Sequence, residues 1–117
     1  MKALNFYSSV YHASLLAREK RCTIRLGDKS DKYREGDIVW VTYGNRFERR
    51  YRVFTAVLDR VDVKLVRELT RGDIKAESPD MNTMDDVVRF LEAIYDRRVS
   101  PDDTVTVIYF SEILEEA

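Results

Sequence analysis

Lys20-Arg21-Cys22-Thr23-Ile24-Arg25-Leu26-Gly27, followed by Tyr33-Arg34-Glu35-Gly36-Asp37 running into Ile38-Val39-Trp40-Val41, decides how this chain folds. In the first run Cys22, Ile24 and Leu26 alternate with Arg21, Thr23 and Arg25, the period of a strand with one apolar and one polar face. Gly27-Asp28 ends the pattern, and Ile38 to Tyr43, rich in β-branched and aromatic residues, is a second, buried strand. A lysine three residues before a threonine can set an amine and a hydroxyl around one small polar substrate. A basic strand at the mouth of a β-barrel would carry the same residues.

Upstream, Leu4 and Phe6 flank Asn5 as a short first strand. Ser8 or Ser9 can cap a helix through about Ala17, with Tyr11, Leu15 and Leu16 facing the core. Downstream, Tyr43-Gly44-Asn45-Arg46 is a turn, and Arg50 to Val66 is a long strand expected to bend, or to split, near Asp59-Arg60. A helix starts at Thr83, with Asp86 completing a near capping box. Met84, Val87, Val88, Leu91, Ile94 and Tyr95 keep the spacing of one buried face. Pro101 lies beyond its end, and Thr104 to Phe110 is a final strand. No linker, repeat or low-complexity stretch interrupts the order. Residues 1–117 therefore read as one α+β domain whose mixed or antiparallel sheet closes toward a barrel.

Composition bounds the function. With 117 residues, 44% hydrophobic and 35% charged, the chain can build one core and is not of the disordered class. No apolar run approaches the roughly 20 residues of a membrane span, and residues 1–7 lack a signal core. A lone cysteine, Cys22, cannot form an internal disulfide, so the expected setting is the cytoplasm. The net charge of −1 hides a polarity: residues 1–72 carry 16 basic against 9 acidic side chains, residues 73–117 only 4 against 12. A basic portion of this kind can attract a phosphate-bearing partner.

From Leu16-Ala17 through Lys20-x-x-Thr23-Ile24-Arg25 to Tyr33-x-x-Gly36-Asp37, the sequence resembles the ASCH family. Leu69-Thr70, Ala76-Glu77, the helix from Thr83 and the strand Val107-Ile108-Tyr109-Phe110 extend the resemblance over almost the whole length. It implies a PUA-like β-barrel with two to three flanking helices and an association with RNA. Within the family the chain is most similar to small single-domain amidohydrolases that remove the acetyl group of N4-acetylcytidine. The resemblance then implies Lys20 as base, Thr23 as nucleophile and Glu77 as proton donor, with Asp80 as the alternative acid. No metal or organic cofactor is implied. Two positions depart from the pattern: Arg18-Glu19 stand where a glycine is common before the lysine, and Ser78-Pro79 follow Glu77 where a glycine is common.

The chemistry sets its own conditions. A threonine hydroxyl needs a base, and a lysine can serve only if burial or like charge lowers its value from about 10.4. Arg18, Arg21 and Arg25 could supply the repulsion, whereas a salt bridge to Glu19 would hold Lys20 charged. Glu77 needs the opposite shift to donate a proton. Spacing alone does not single out Lys-x-x-Thr, because most such pairs are a surface lysine and a strand threonine.

Arg18, Arg21, Arg25, Lys29, Lys32, Arg50 and Arg52 are the candidate substrate- or RNA-binding cations. The stretch Arg46-Phe47-Glu48-Arg49-Arg50-Tyr51-Arg52 suits phosphate contact with base stacking, and equally a charged hairpin with inward aromatics. Three functions remain open: an amidohydrolase, a non-catalytic RNA- or nucleoside-binding module, and a regulatory domain that meets an acidic protein through the Arg46–Arg52 hairpin. His12 has no second histidine with which to share a metal, and Cys22 sides with Ile24 as a small hydrophobe.

Overall fold

The computed structural model describes residues 1–7, 11–45 and 47–114. Five strands form one mixed sheet: β1 (Lys2–Phe6), β2 (Cys22–Leu26), β3 (Ile38–Tyr43), β4 (Tyr51–Leu65) and β5 (Thr104–Glu112). Their spatial order is β1-β3-β4-β5-β2. β1 runs parallel to β3, and every other pairing is antiparallel. The helices are α1 (His12–Leu16), α2 (Arg71–Glu77) and α3 (Met84–Tyr95), with a 3₁₀ turn at Val66–Glu68. None of the described helices is long and apolar enough to cross a membrane. The result is an α+β half-barrel.

β5 explains how one sheet serves two apolar layers. Val105 and Val107 pack with Cys22, Ile24, Leu26, Val87 and Leu91 beneath α2 and α3. Ile108 and Phe110 pack with Leu4, Phe6, Val39, Val41, Phe54 and Leu58. Apolar side chains on both faces are what a strand in the interior of the sheet requires. Fully burying each of Val87 and Leu91 contributes about 1.5–3 kcal/mol.

The long fourth strand bends and does not split. Leu58 lies opposite Phe110 and Arg60 opposite Tyr109, leaving Asp59 as the extra residue of a bulge. Its carboxylate accepts a hydrogen bond from the Ser111 hydroxyl at 2.5 Å. At the other end, Gly44 has φ +147°, and a Cβ there would meet the Arg49 carbonyl oxygen at 2.7 Å. Only glycine fits that approach.

α3 follows its sequence pattern in its cap and at Val87 and Leu91 but not at Ile94, which is exposed. Thr83 Oγ1 accepts from the Asp86 amide at 3.1 Å and Asp86 Oδ2 accepts from the Thr83 amide at 3.0 Å. α2 was not expected from periodicity. Its signal is Thr70-x-x-Asp73, a capping box whose two bonds measure 3.0 and 3.1 Å. Ser8 and Ser9, the expected caps of the first helix, and Arg46 lie outside the described residues.

Candidate functional site

β2 is an edge strand, so its outward amides need partners from elsewhere. Glu77, the last residue of α2, supplies one: its Oε1 accepts from the Ile24 amide at 3.2 Å. The Tyr95 hydroxyl at the end of α3 takes the Leu26 amide at 3.1 Å. Both helices thus end against the same strand edge, and a cavity of about 910 Å³ opens beside it. Asn5, Thr23, Arg25 and Glu77 give its wall polar groups, while Phe6, Tyr11, Phe90 and Tyr95 give it aromatic surface. That mixture, and that volume, are those of a small-molecule site.

Lys20 enters from the turn after α1, where the Glu19 and Lys20 amides both bond to the Ser14 carbonyl and Arg18 holds φ 61°. Its ammonium meets the Glu77 carboxylate and the Glu77 backbone carbonyl, with the Tyr11 ring 4.6 Å away. Lys20, Thr23 and Glu77 are buried, at 6%, 3% and 3% exposure. Burial pushes Lys20 down to about 7, and the Arg25 charge acts in the same direction. The Glu77 carboxylate against it favours the charged amine and opposes that shift. Glu77, not Glu19, is therefore the acid that bears on Lys20.

Thr23 Oγ1 accepts from Arg25 Nε at 3.0 Å, which leaves the hydroxyl proton uncommitted. Arg25 itself is pinned above the Phe6 ring at 4.9 Å. Burial lowers its pKa, and its Nη2 is enclosed with no hydrogen-bond partner. A buried donor left open in a cavity wall is a ready contact for a carbonyl oxygen of a ligand.

The architecture recurs among solved structures. An ASCH domain from Lactobacillus crispatus JV V101 matches with a TM-score of 0.64 at 13% identity, over 95% of this chain and 78% of that one. The chain has the ASCH-domain fold. The hypothetical protein PH0355 matches with a TM-score of 0.64 at 18% identity, over 97% of this chain and 100% of the other. Protein EF3133 from Enterococcus faecalis V583, of family DUF984, matches at 0.61 and 14% identity, over 86% and 68%. No family model matches the sequence, and no curated protein does. Identities this low carry the fold and leave the chemistry to the site.

On this ASCH-type frame the expected residues divide. Lys20 touches Glu77, and Thr23, Arg25 and Glu77 share the cavity wall. Lys20 makes no hydrogen bond to Thr23; its amine is directed to Glu77. Asp80, the alternative acid, is exposed on the turn after α2. Of the expected cations only Arg25 lines the cavity among the described residues. Arg18 is taken up by Glu112 at 3.1 Å and by the Phe54 ring at 4.8 Å. Arg21 is exposed, the Lys29 amide is bonded to Thr106 Oγ1, and Lys32 lies over Tyr33. Arg50 and Arg52 lie over Tyr7 and Trp40, outside the main cavity.

The aromatic lining was missed. Tyr11 and Tyr95 read as core residues because helical spacing reports which face turns inward, not whether that interior is filled. His12 packs its ring 4.0 Å from that of Tyr43.

Proposed function

We propose that the ASCH-type cavity binds a cytidine-like nucleoside carrying an acyl group on its exocyclic nitrogen and hydrolyses that amide. The observation that carries this reading is the buried Lys20–Glu77 contact beside Thr23 at the cavity wall. Neutral Lys20 accepts the Thr23 hydroxyl proton as Oγ1 attacks the acyl carbon. Arg25 Nη2 receives the oxygen on which negative charge develops. The proton passes from Lys20 through its contact with Glu77 to the departing exocyclic amine. Water then cleaves the acyl-threonine ester, releasing the carboxylic acid and restoring the hydroxyl. The Lys20 amine faces Glu77, and substrate must draw it toward Thr23; catalytic hydrogen bonds commonly tighten only in the bound complex. The base rests on the aromatic wall, as nucleobases stack on tyrosine and phenylalanine.

One observation favours a second reading. Glu77 Oε1 already serves the Ile24 amide, so the Lys20–Glu77 pair also clamps α2 to β2. A binding module needs no more than that. Incubation of the purified chain with N4-acetylcytidine, with cytidine release followed by chromatography, separates the two. Hydrolysis that drops about a hundredfold or more in Lys20→Ala and in Thr23→Ala supports the enzyme. Undiminished turnover in Thr23→Ala removes the proposed nucleophile. Binding without turnover leaves the module.

A further inference from the structure

Next to the main cavity lies a second hollow of about 390 Å³, walled by Tyr7, by the run Tyr43-Gly44-Asn45, and by His12, Glu48, Arg49 and Tyr51. Tyr7 belongs to both, so the two are neighbours across one side chain. The proposed amide hydrolysis uses none of the other seven. We propose that this hollow is a second subsite, which takes the nucleobase joined through one phosphodiester to the acylated nucleoside. The substrate would then be a short single-stranded oligonucleotide and not only the free nucleoside. This rests on the assignment of the main cavity made above.

Three features carry it. The wall holds a run of rings in contact: His12 tilted at 44° against Tyr43 at 4.0 Å, and Tyr43 stacked on Tyr51 at 5.4 Å and 26°. The Arg49 guanidinium covers Tyr51 at 5.4 Å. Half-exposed Tyr7 and Tyr51 offer flat surface that the core does not use, and a planar heteroaromatic ring gains most from such a wall. Second, polarity orders the ligand. Glu48, whose Oε2 accepts from Asn45 Nδ2 at 3.1 Å, makes the hollow unfavourable for a phosphate but supplies an acceptor for an exocyclic amine. Arg50, 5.8 Å from the Tyr7 ring at the shared wall, is the cation placed where a connecting phosphodiester would pass. Third, the geometry of the divide is fixed: Asn5 of the main cavity donates to the Gly44 carbonyl of the second at 3.1 Å, and Gly44 has no room for a side chain.

Calorimetry on the intact chain compares N4-acetylcytidine with its dinucleoside monophosphates bearing adenosine on either side. One dinucleotide is expected to bind at least about tenfold more tightly, the worth of one base on an aromatic platform. Tyr51→Ala and Arg49→Gln are each expected to cut that ratio to about threefold or less. Equal affinities, or a ratio that both variants leave intact, overturn the subsite. Adenosine 5′-monophosphate alone, titrated while tyrosine ring resonances are followed, probes the hollow without the main cavity. Shifts at Tyr43 and Tyr51 with no binding of N4-acetylcytidine overturn the nucleoside assignment and keep the subsite. Absence of those shifts, where the nucleoside fails to bind, overturns both.

Discussion

Lys20 and Glu77 place two ionisable groups where water does not reach them, and each depends on the other for a partner. Below about pH 7, where Lys20 is charged, removing one leaves an uncompensated buried charge, which costs about 3–5 kcal/mol, whereas removing both can be nearly neutral. Lys20→Met and Glu77→Leu are each expected to lose stability of that order in urea denaturation. The double variant is expected to recover most of it, and singles within about 1 kcal/mol of wild type would show that the pair does not hold α2 to β2. The lowered pKa of Lys20 has a sign that can be worked out. Between about 7 in the native state and the ordinary 10.5, the unfolded chain binds the Lys20 proton and the native chain does not. Stability from this group therefore rises with pH across that window. A pH series of denaturation midpoints should show the rise in wild type and its loss in Lys20→Met. Hydrolysis by neutral Lys20 should climb through about pH 7, and a flat profile from pH 6 to 8 would remove it as base.

At the scale of elements, the two threonine caps make a matched comparison. Thr70 starts α2 and Thr83 starts α3, each with a reciprocal aspartate. Their replacement by alanine is expected to cost about 1 kcal/mol in each case. The functional cost should differ, because α2 ends on Glu77 whereas the proposed site makes no use of α3's first turn. Thr70→Ala should therefore lower turnover severalfold with Thr83→Ala near wild type, read as kcat/KM at equal folded fraction. Equal activities would mean that the β2 edge alone positions Glu77. The elements also show what a pattern can report. α3 was legible because Val87 and Leu91 repeat on one face, and the Asp59 bulge because polar residues interrupt β4. α2 was not, since seven residues with a glycine at Gly72 give too few turns for a period to emerge.

Over the whole molecule, the excess of basic residues before position 73 resolves into separate roles. Arg18, Arg60 and Arg67 pair with Glu112, Asp62 and Asp102. Arg49, Arg50 and Arg52 lie instead over the rings of Tyr51, Tyr7 and Trp40. If those three meet a nucleic-acid backbone, oligonucleotide affinity falls with salt, and Arg50→Gln reduces the slope of log K against log salt by about one. Arg18→Gln, whose partner is Glu112, should leave the slope as it was. A slope unaffected by Arg50→Gln would place the phosphate elsewhere.

Local sequence was sufficient for the strands, for α3 and for the bend in β4, because alternation, helical periodicity and capping are properties of neighbours along the chain. It also marked Lys20 and Thr23, three residues apart, with Thr23 on β2 and Lys20 in the turn that leads into it. Only the tertiary structure could bring Glu77 and not Asp80 against Lys20, separate Arg25 from the other cations, and turn Tyr7, Tyr11, Phe90 and Tyr95 into walls. Those outcomes depend on which helix ends reach the free edge of β2 and where packing leaves a gap, and both are set by contacts between residues distant in sequence.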